Sequence, residues 1–544
     1  MANLATLADA NVFSGRRIGL EKESLRLTED GAIAQSNHPS ALGSALGHPS
    51  ITTDFSEALL EMVTPPCDSA REALDTLTGI HQFILPRLPS GEHLWNSSMP
   101  CILRGAESIR IGDYGSSHVG RMKAVYRRGL GLRYGKRMQA IAGIHFNFSM
   151  PANSWPLWQV LQQGASGRSA GPWSVSSSKV DPALISRGYF QMMQNLMRIG
   201  WVVPYLFGSS PAICQSFLEL DTDSDLSTFN ETTRYAPFGT SLRMGNIGYR
   251  YREDKPIDLS VCHKSLDNYI CDILRHVTTE HPGYRAQGIV DAKGEYRQLN
   301  ACRLQIENEY YSTVRPKQIA EKGELPILAL KERGIRYLEL RSVDLNMFNP
   351  AGLHLEQIAM LEMLMLFAWL GCHEPLSKEE MLVNTRNVKN VAHHGREPGL
   401  TLEGPDGDIS LAVWGESIIR AMRPLAAWLD QSEDTPLYTV SLDRQQAKFR
   451  DPDETPSARV LAGVFKSGSF FDFAMEQSET RHEELLAMPI DPELQNRLLH
   501  EVEESISRQA QMEAESSGSF EDYLAMYFAQ LDVCGDKAKA ACCS

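Results

Sequence analysis

An α+β fold is what the sequence predicts, on three observations. Residues 16 to 65 carry strand-type alternation broken by turn residues at Glu29-Asp-Gly31 and His48-Pro49, helical periodicity dominates most of the remainder, and strand-like segments return between the helices without a regular βαβ rhythm. The 544 residues can bury a large core, and length alone would allow several domains. Unusual carboxylates near residues 21 and 339 must meet in one sheet if they share a site, so one large domain over 1–544 is expected. Its core would run over about 16–400, followed by a helix-rich part over about 400–544, with a Gly/Ser/Pro-rich inserted loop at about 163–178.

In chain order, strands are expected within 16–65 and at 141–149, 286–292, 298–307 and 335–345, and helices at 184–202, 264–279, 354–372, 409–430 and 492–515. The first strand, Ile18-Gly-Leu-Glu-Lys-Glu-Ser-Leu-Arg-Leu27, is odd. Residues two apart share a side, so Glu21 and Glu23 line up with Leu25 and Leu27 on a face that should be buried. Two carboxylates roughly 7 Å apart repel by about 2 kcal/mol at an effective dielectric of ~20, a cost a purely structural strand avoids. A wet face, a facing basic side chain or a bound cation would each relieve it.

The next segment, Ile51-Thr-Thr-Asp-Phe-Ser-Glu-Ala-Leu-Leu-Glu-Met-Val-Thr-Pro65, reads as a helix that aligns Asp54, Glu57 and Glu61, or as a strand ending at Pro65 that aligns Glu57, Glu61 and Val63, with Asp54 in the turn before it. Its end, Val63-Thr64-Pro65-Pro66, favours the strand. Strand 141–149 puts His145 and Asn147 on one side and Ile144, Phe146 and Phe148 on the other, and in strand 335–345 Glu339 and Arg341 share a face with Tyr337 and Val343. The most apolar run, Met363 to Cys372, falls short of the ~20 residues that span a bilayer and reads as a buried helix.

With 68 acidic against 53 basic residues the net charge is -15, which argues against nucleic acid as a partner. Residues 1 to 20 lack a basic start followed by an apolar stretch, so a cytoplasmic protein with no membrane segment is expected. The ten cysteines contain no C-x-x-C pair that would suggest zinc or a redox dithiol, and reduced thiols are expected.

Each polar intrusion has an ordinary reading: a charged strand edge, a solvated acidic face, a cross-strand ion pair, a satisfied core histidine. Glu21, Glu23, Glu61, His145 and Glu339 together are harder to dismiss, because all interrupt strand faces that otherwise read as packed. If they point into one cavity they need cations, and carboxylates with one imidazole suit Mg²⁺ or Mn²⁺ better than zinc. More carboxylates than one Mg²⁺ takes imply several ions, whose usual reason is a nucleoside triphosphate. Positive charge for phosphoryl transfer is available in Tyr126-Arg-Arg-Gly-Leu-Gly-Leu-Arg-Tyr-Gly-Lys-Arg137. That stretch is not a P-loop: Gly131-x-x-x-Gly135-Lys136 has the wrong spacing, and Arg137 stands where Ser or Thr would hold a metal. Basic residues among tyrosines also suit RNA, against which the acidic remainder of the chain argues.

Six blocks then carry a resemblance: Gly19-Leu-Glu-Lys-Glu-Ser-Leu-Arg26, Ile51-Thr-Thr-Asp-Phe55, Tyr126-Arg127, Ser209-Ser-Pro-Ala-Ile-Cys214, Leu304-Gln-Ile-Glu-Asn-Glu-Tyr-Tyr311 and Tyr337-Leu-Glu-Leu-Arg-Ser342. In this order they closely resemble the proteobacterial type of glutamate-cysteine ligase, over residues from about 16 to about 400. The resemblance implies a glutamine-synthetase-like antiparallel sheet forming a funnel, with helical additions. It also implies synthesis of γ-glutamylcysteine from L-glutamate, L-cysteine and ATP through γ-glutamyl phosphate, the first step of glutathione biosynthesis. By this resemblance Glu21, Glu23, Asp54, Glu61, His145 and Glu339 hold Mg²⁺ (or Mn²⁺), and Arg127 and Arg341 neutralise the transferring phosphoryl group. Phe55, Tyr126, Leu130, Gln139, Tyr249 and Tyr311 would form the cysteine pocket, and Arg243 would meet a substrate carboxylate. A monomer is expected. Two rival readings stay open, a ligase of this fold with another amine acceptor and a non-catalytic metal- or nucleotide-binding protein.

Overall fold

The computed structural model describes residues 12–100, 102–165, 180–218, 225–247 and 259–531. Tyr249 and most of the expected inserted loop at 163–178 therefore lie outside the described residues. A seven-stranded antiparallel sheet organises them: β1 (Arg17–Thr28), β2 (Ile51–Thr53), β3 (Leu59–Val63), β4 (Glu92–Leu94), β5 (Ile144–Ser149), β6 (Val314–Lys317) and β7 (Tyr337–Val343). The spatial order is β2-β3-β1-β5-β7-β6, with β4 on the far end of β1. β1 is shared among three partners, β5 over Arg17–Lys22, β3 over Glu21–Leu25 and β4 over Arg26–Thr28. Changing partners along one strand requires strong twist and lets the sheet curl.

One face is apolar, with Ile18, Leu20, Leu60, Met62, Ile144, Phe146, Phe148, Leu338 and Leu340 buried on it. Helices α1 (Ala70–Ile84), α3 (Pro182–Arg198) and α5 (Leu355–Leu370) pack there. α5 is apolar on every side and buried almost throughout, as a helix at the centre of a core should be. The other face of the sheet is the floor of a cavity beneath α2 (His118–Tyr134). Helices α4 (Leu266–Thr278), α6 (Leu411–Leu429), α7 (Pro492–Glu515) and α8 (Phe520–Ala529) complete the elements that matter here. Among the described residues no helix is long and apolar enough to cross a membrane.

The α+β class and the antiparallel funnel agree with the sequence reading, but several local expectations need correction. Segment 51–65 is not a helix: it ends in the favoured strand, β3, with Asp54 in the turn before it, and that turn, in which Asp54 N donates to Leu59 O at 3.0 Å, joins β3 to a further strand, β2. In that turn Glu57 accepts from His38 N and Asp113 N, each at 2.7 Å, so its carboxylate pins loops rather than joining the other acids. Val343 does not share a face with Glu339, because a bulge after Leu340 turns it to pair with Ile144 on the apolar side. No strands form at 286–292 and 298–307: the first keeps only isolated backbone bonds such as Arg297 N to Ile289 O at 2.8 Å, and in the second some backbone groups bond to side chains, Leu299 N to Gln305 Oε1 and Cys302 N to Asn300 Oδ1, each at 3.0 Å. The helix expected at 184–202 stops at Arg198, and a short one, Val202–Phe207, follows Gly200. Cys67, Cys214, Cys262, Cys302 and Cys372 are free thiols as expected, whereas Cys271 is disulfide-bonded.

Candidate active site

Directly paired residues of antiparallel strands project to one face, so the register writes the cavity floor. Glu61 stands opposite Glu23, Glu21 opposite His145, Asn147 opposite Glu339, and Glu339 opposite Arg315. The carboxylates that looked misplaced in the sequence thus form one band across four strands, ending in Arg315 and Lys317 on β6. They floor a cavity of about 500 Å³ lined by all six predicted metal ligands, Glu21, Glu23, Asp54, Glu61, His145 and Glu339. Arg127, Arg341, Phe55, Tyr126, Leu130, Gln139 and Tyr311 also line it. Arg243 does not: it lies behind the wall, its Nη2 donating to Arg341 O at 2.7 Å and its Nη1 3.7 Å from Asp344 Oδ1. A Cβ at Gly143 would lie 2.0 Å from the Arg243 Nη2, so only glycine lets β5 begin there.

The acids fall into two electrostatic groups. Glu21 accepts from His145 Nδ1 at 2.9 Å and from Asn147 Nδ2 at 2.8 Å. Burial and the charge of Glu339 push its pKa up, but the His145 hydrogen bond and the charge of Lys317 outweigh them and hold it below the usual range. For Glu339, burial is opposed by Lys317 at 3.2 Å and Arg341 at 3.0 Å, and the carboxyl is held well below its usual value. Burial lowers the His145 pKa, so the ring is neutral. With Nδ1–H donating to Glu21, its Nε2 lone pair faces Glu23 Oε1, 3.8 Å away.

For Glu23 and Glu61 the nearby guanidiniums, Arg243 and Arg341 for the first and Arg127 for the second, do not offset burial. Burial and then the charge of Asp54 raise Glu23 to about 8 and push Glu61 well above its normal value. Gly143 N donates to Glu23 Oε2 at 2.7 Å without cancelling this. Oxygen donors that repel one another, a neutral imidazole presenting a lone pair, and Glu21, His145 and Glu339 atoms within 4.8 Å of one another fit a hard divalent cation such as Mg²⁺ or Mn²⁺.

Guanidinium groups face the acids. Arg127 donates Nε to Asp54 O and Nη1 to Lys123 O at 3.1 Å, and stacks 4.6 Å over the Tyr114 ring. Tyr114 OH donates to Asp54 O at 2.8 Å, so the same pair fixes the turn that carries Asp54. Among the described residues the buried Nε–H groups of Arg341 and Arg243 have no hydrogen-bond partner, and an anionic oxygen in the cavity would satisfy that of Arg341.

Lys317, Arg315, Lys123, Glu309, Tyr523 and Tyr527 line the cavity but were not singled out in the sequence. Arg315 and Lys317 alternate in β6, yet Pro316 between them reads as a strand breaker, tolerated here because β6 is an edge strand. Tyr523 and Tyr527 are four apart on α8, a spacing that places both on one helix face.

Glu23→Gln should gain stability over the wild type as pH rises from 6 to 9 in chelator. A carboxyl raised to about 8 binds its proton in the folded state and not in the unfolded one, so its stabilising effect is lost as pH passes that value. Lys22 and Lys448, both lowered to about 7 by burial, act in the opposite sense and cancel in the comparison with the variant. A difference in Tm that stays flat with pH would contradict the cluster electrostatics.

The chain matches the glutamate-cysteine ligase family over residues 1–391. Proteins named glutamate–cysteine ligase are similar along nearly the whole chain. The one from Azotobacter vinelandii is 42% identical over 514 residues, 94% of each chain. That of Saccharophagus degradans is 39% identical over 538 residues, 98% of each. The crystal structure of the glutamate–cysteine ligase from Francisella tularensis in complex with AMP superposes with a TM-score of 0.85 at 31% identity, covering 95% of this chain and 98% of that one. A bifunctional glutathione synthetase from Pasteurella multocida shares the fold with a TM-score of 0.66 at 23% identity, covering 88% of this chain and 53% of that one.

Proposed function

The chain belongs to the glutamate–cysteine ligase family, ATP-dependent ligases, and from that premise we propose that it joins the γ-carboxylate of L-glutamate to the amine of L-cysteine. The reaction is the first step of glutathione biosynthesis, in a cytoplasmic protein acting as a monomer with one catalytic domain. In the first half, a γ-carboxylate oxygen attacks the γ-phosphorus of ATP and ADP leaves, giving γ-glutamyl phosphate. In the second, the amine of cysteine attacks the acyl carbon, phosphate leaves, and the amine gives up a proton.

The observation that carries this reading is a band of buried carboxylates and one imidazole lying beside unpartnered guanidinium N–H groups. Glu21, Glu23, Asp54, Glu61, His145 and Glu339 would hold Mg²⁺, which when bound offsets the charge of the polyphosphate. Arg127 and Arg341 donate to the oxygens of the transferring phosphoryl group, and Arg243, which lies behind the cavity wall, would have to turn inward to meet a substrate carboxylate. Phe55, Tyr126, Leu130, Gln139, Tyr249 and Tyr311 enclose the acceptor. No covalent enzyme nucleophile is required, so no cysteine of the chain takes part.

The test is ADP release with glutamate and Mg-ATP, supplied with cysteine, another amine or neither. Turnover that depends on cysteine supports the proposal; turnover with a different amine only, or none, refutes it. Within the proposal, the pocket recognises mainly a compact polarisable group, since a thiol is a weak donor. 2-Aminobutyrate, with a methyl in place of the thiol, should then be a usable substrate within ~10–200-fold of cysteine in kcat/KM. Leucine should be excluded by overpacking, and glycine should react poorly because it leaves the pocket empty. Leucine equal to cysteine, or an inert 2-aminobutyrate, would rule out the pocket.

A further inference from the structure

A buried ion pair beside the cavity is not used by the proposed chemistry. The last turn of α2 supplies Arg133 and Tyr134, and Glu309 belongs to the segment that ends at Tyr311. Arg133 Nη1 donates to Glu309 Oε1 at 2.8 Å, Tyr134 OH donates to the same oxygen at 2.7 Å, and Gln305 N donates to Oε2 at 2.7 Å. Both charged side chains are 0% exposed. The rest of the Arg133 fork is occupied, Nε and Nη2 donating to Gln298 Oε1 at 3.0 and 2.9 Å and Nη2 to Asn300 O at 2.8 Å.

A second grip lies alongside. Gln305 Nε2 donates to the backbone oxygen of Tyr126 at 3.2 Å. A Cβ at Gly129 would lie 2.1 Å from Gln305 Oε1, so glycine at that position leaves the room the Gln305 amide occupies against α2. Two elements far apart in sequence are thus bolted together. One carries Tyr126 and Leu130, the other Tyr311, and all three line the cavity.

We infer that Glu309 is a positioning residue that, held by Arg133 and Tyr134, sets the separation of the two walls of the amine-acceptor pocket and so its selectivity for a small side chain. The inference rests on the acceptor pocket proposed above. Arg133, Tyr134 and the Gln305 N–H converge as donors on the Glu309 carboxylate, which makes it an anchor and not a metal ligand or base. The sheet floor, which would serve ATP and glutamate, does not depend on this bolt.

Glu309→Gln keeps shape and size but presents an NH₂ group to a site built from donors, so one of the three hydrogen bonds must fail. Tyr134→Phe removes one donor and leaves the ion pair intact. At saturating glutamate and Mg-ATP, Glu309→Gln should raise KM for cysteine ~10-fold or more, since small displacements of a wall cost that much. KM for glutamate and ATP should not move, and the preference for cysteine over leucine should narrow. Tyr134→Phe should shift the same quantities in the same direction by less, and carries the test if Glu309→Gln does not fold. Unchanged KM for cysteine in folded variants, or equal rises for all three substrates, would overturn the inference. A wild type without cysteine-dependent turnover would remove the proposed function and this inference together. A cysteine-dependent wild type with indifferent variants would remove this inference alone.

Discussion

Glu61→Gln and Glu339→Gln are each expected to lower kcat/KM by more than ~100-fold, because metal-site ligands cannot matter less than the outer residues that orient them. Their effects on stability in chelator should be opposite in sign. Glu61 is pushed well above its normal pKa by burial and by Asp54, Glu21 and Glu23, so an uncharged glutamine relieves repulsion and should raise Tm. Glu339 already has partners, Lys317 at 3.2 Å and Arg341 at 3.0 Å, and its own side chain is 1% exposed. Removing its charge leaves those cations uncompensated, at a cost of roughly 2 kcal/mol, and should lower Tm. Thermal melts in chelator and ADP release on both variants decide this. Wild-type turnover in either one would end the metal-cluster reading, and equal stability of the two would contradict the division of the acids into two groups.

That division could not be seen in the sequence, although the acids themselves could. Period-two alternation is enough to place Glu21, Glu23, Glu61, His145 and Glu339 as polar exceptions on packed strands, because side-chain direction in a strand is a local property. Which exceptions become neighbours is set by register, and register depends on pairings between segments hundreds of residues apart. The neutralising lysine of Glu339 was hidden for a local reason: Pro316 sits inside the short strand that carries Lys317. The bulge that turns Val343 to the apolar side leaves no mark in the sequence either. Glu57 shows the opposite error. It looks like a member of the acidic cluster, but its partners are two backbone N–H groups, His38 and Asp113. The assignments for Tyr126, Leu130 and Tyr311 came from resemblance rather than periodicity, and their joint placement on the cavity wall depends on the contact between α2 and the segment ending at Tyr311.

Arg341→Lys is expected to fail almost as badly as Arg341→Ala, with kcat reduced ~100-fold or more and KM for ATP little changed. The side chain has two jobs. Its Nη1 donates to Glu339 Oε2 at 3.0 Å, a contact a lysine could reproduce as a point charge. Its buried Nε–H has no partner among the described residues, and lysine has no second donor in a fixed plane to offer there. If that N–H is satisfied only as charge develops on the transferring phosphoryl oxygens, its loss falls on the transition state and not on ground-state binding, and removing one preorganised donor of that kind costs about 100–1,000-fold in kcat. The surroundings should survive the change, because Arg243 is bonded to the backbone oxygen of Arg341 and not to its side chain. Measuring kcat and KM for ATP on the wild type and both variants, at saturating glutamate and cysteine, separates the cases: a rise in KM for ATP with kcat intact in Arg341→Lys would mean that the arginine holds the nucleotide without assisting phosphoryl transfer.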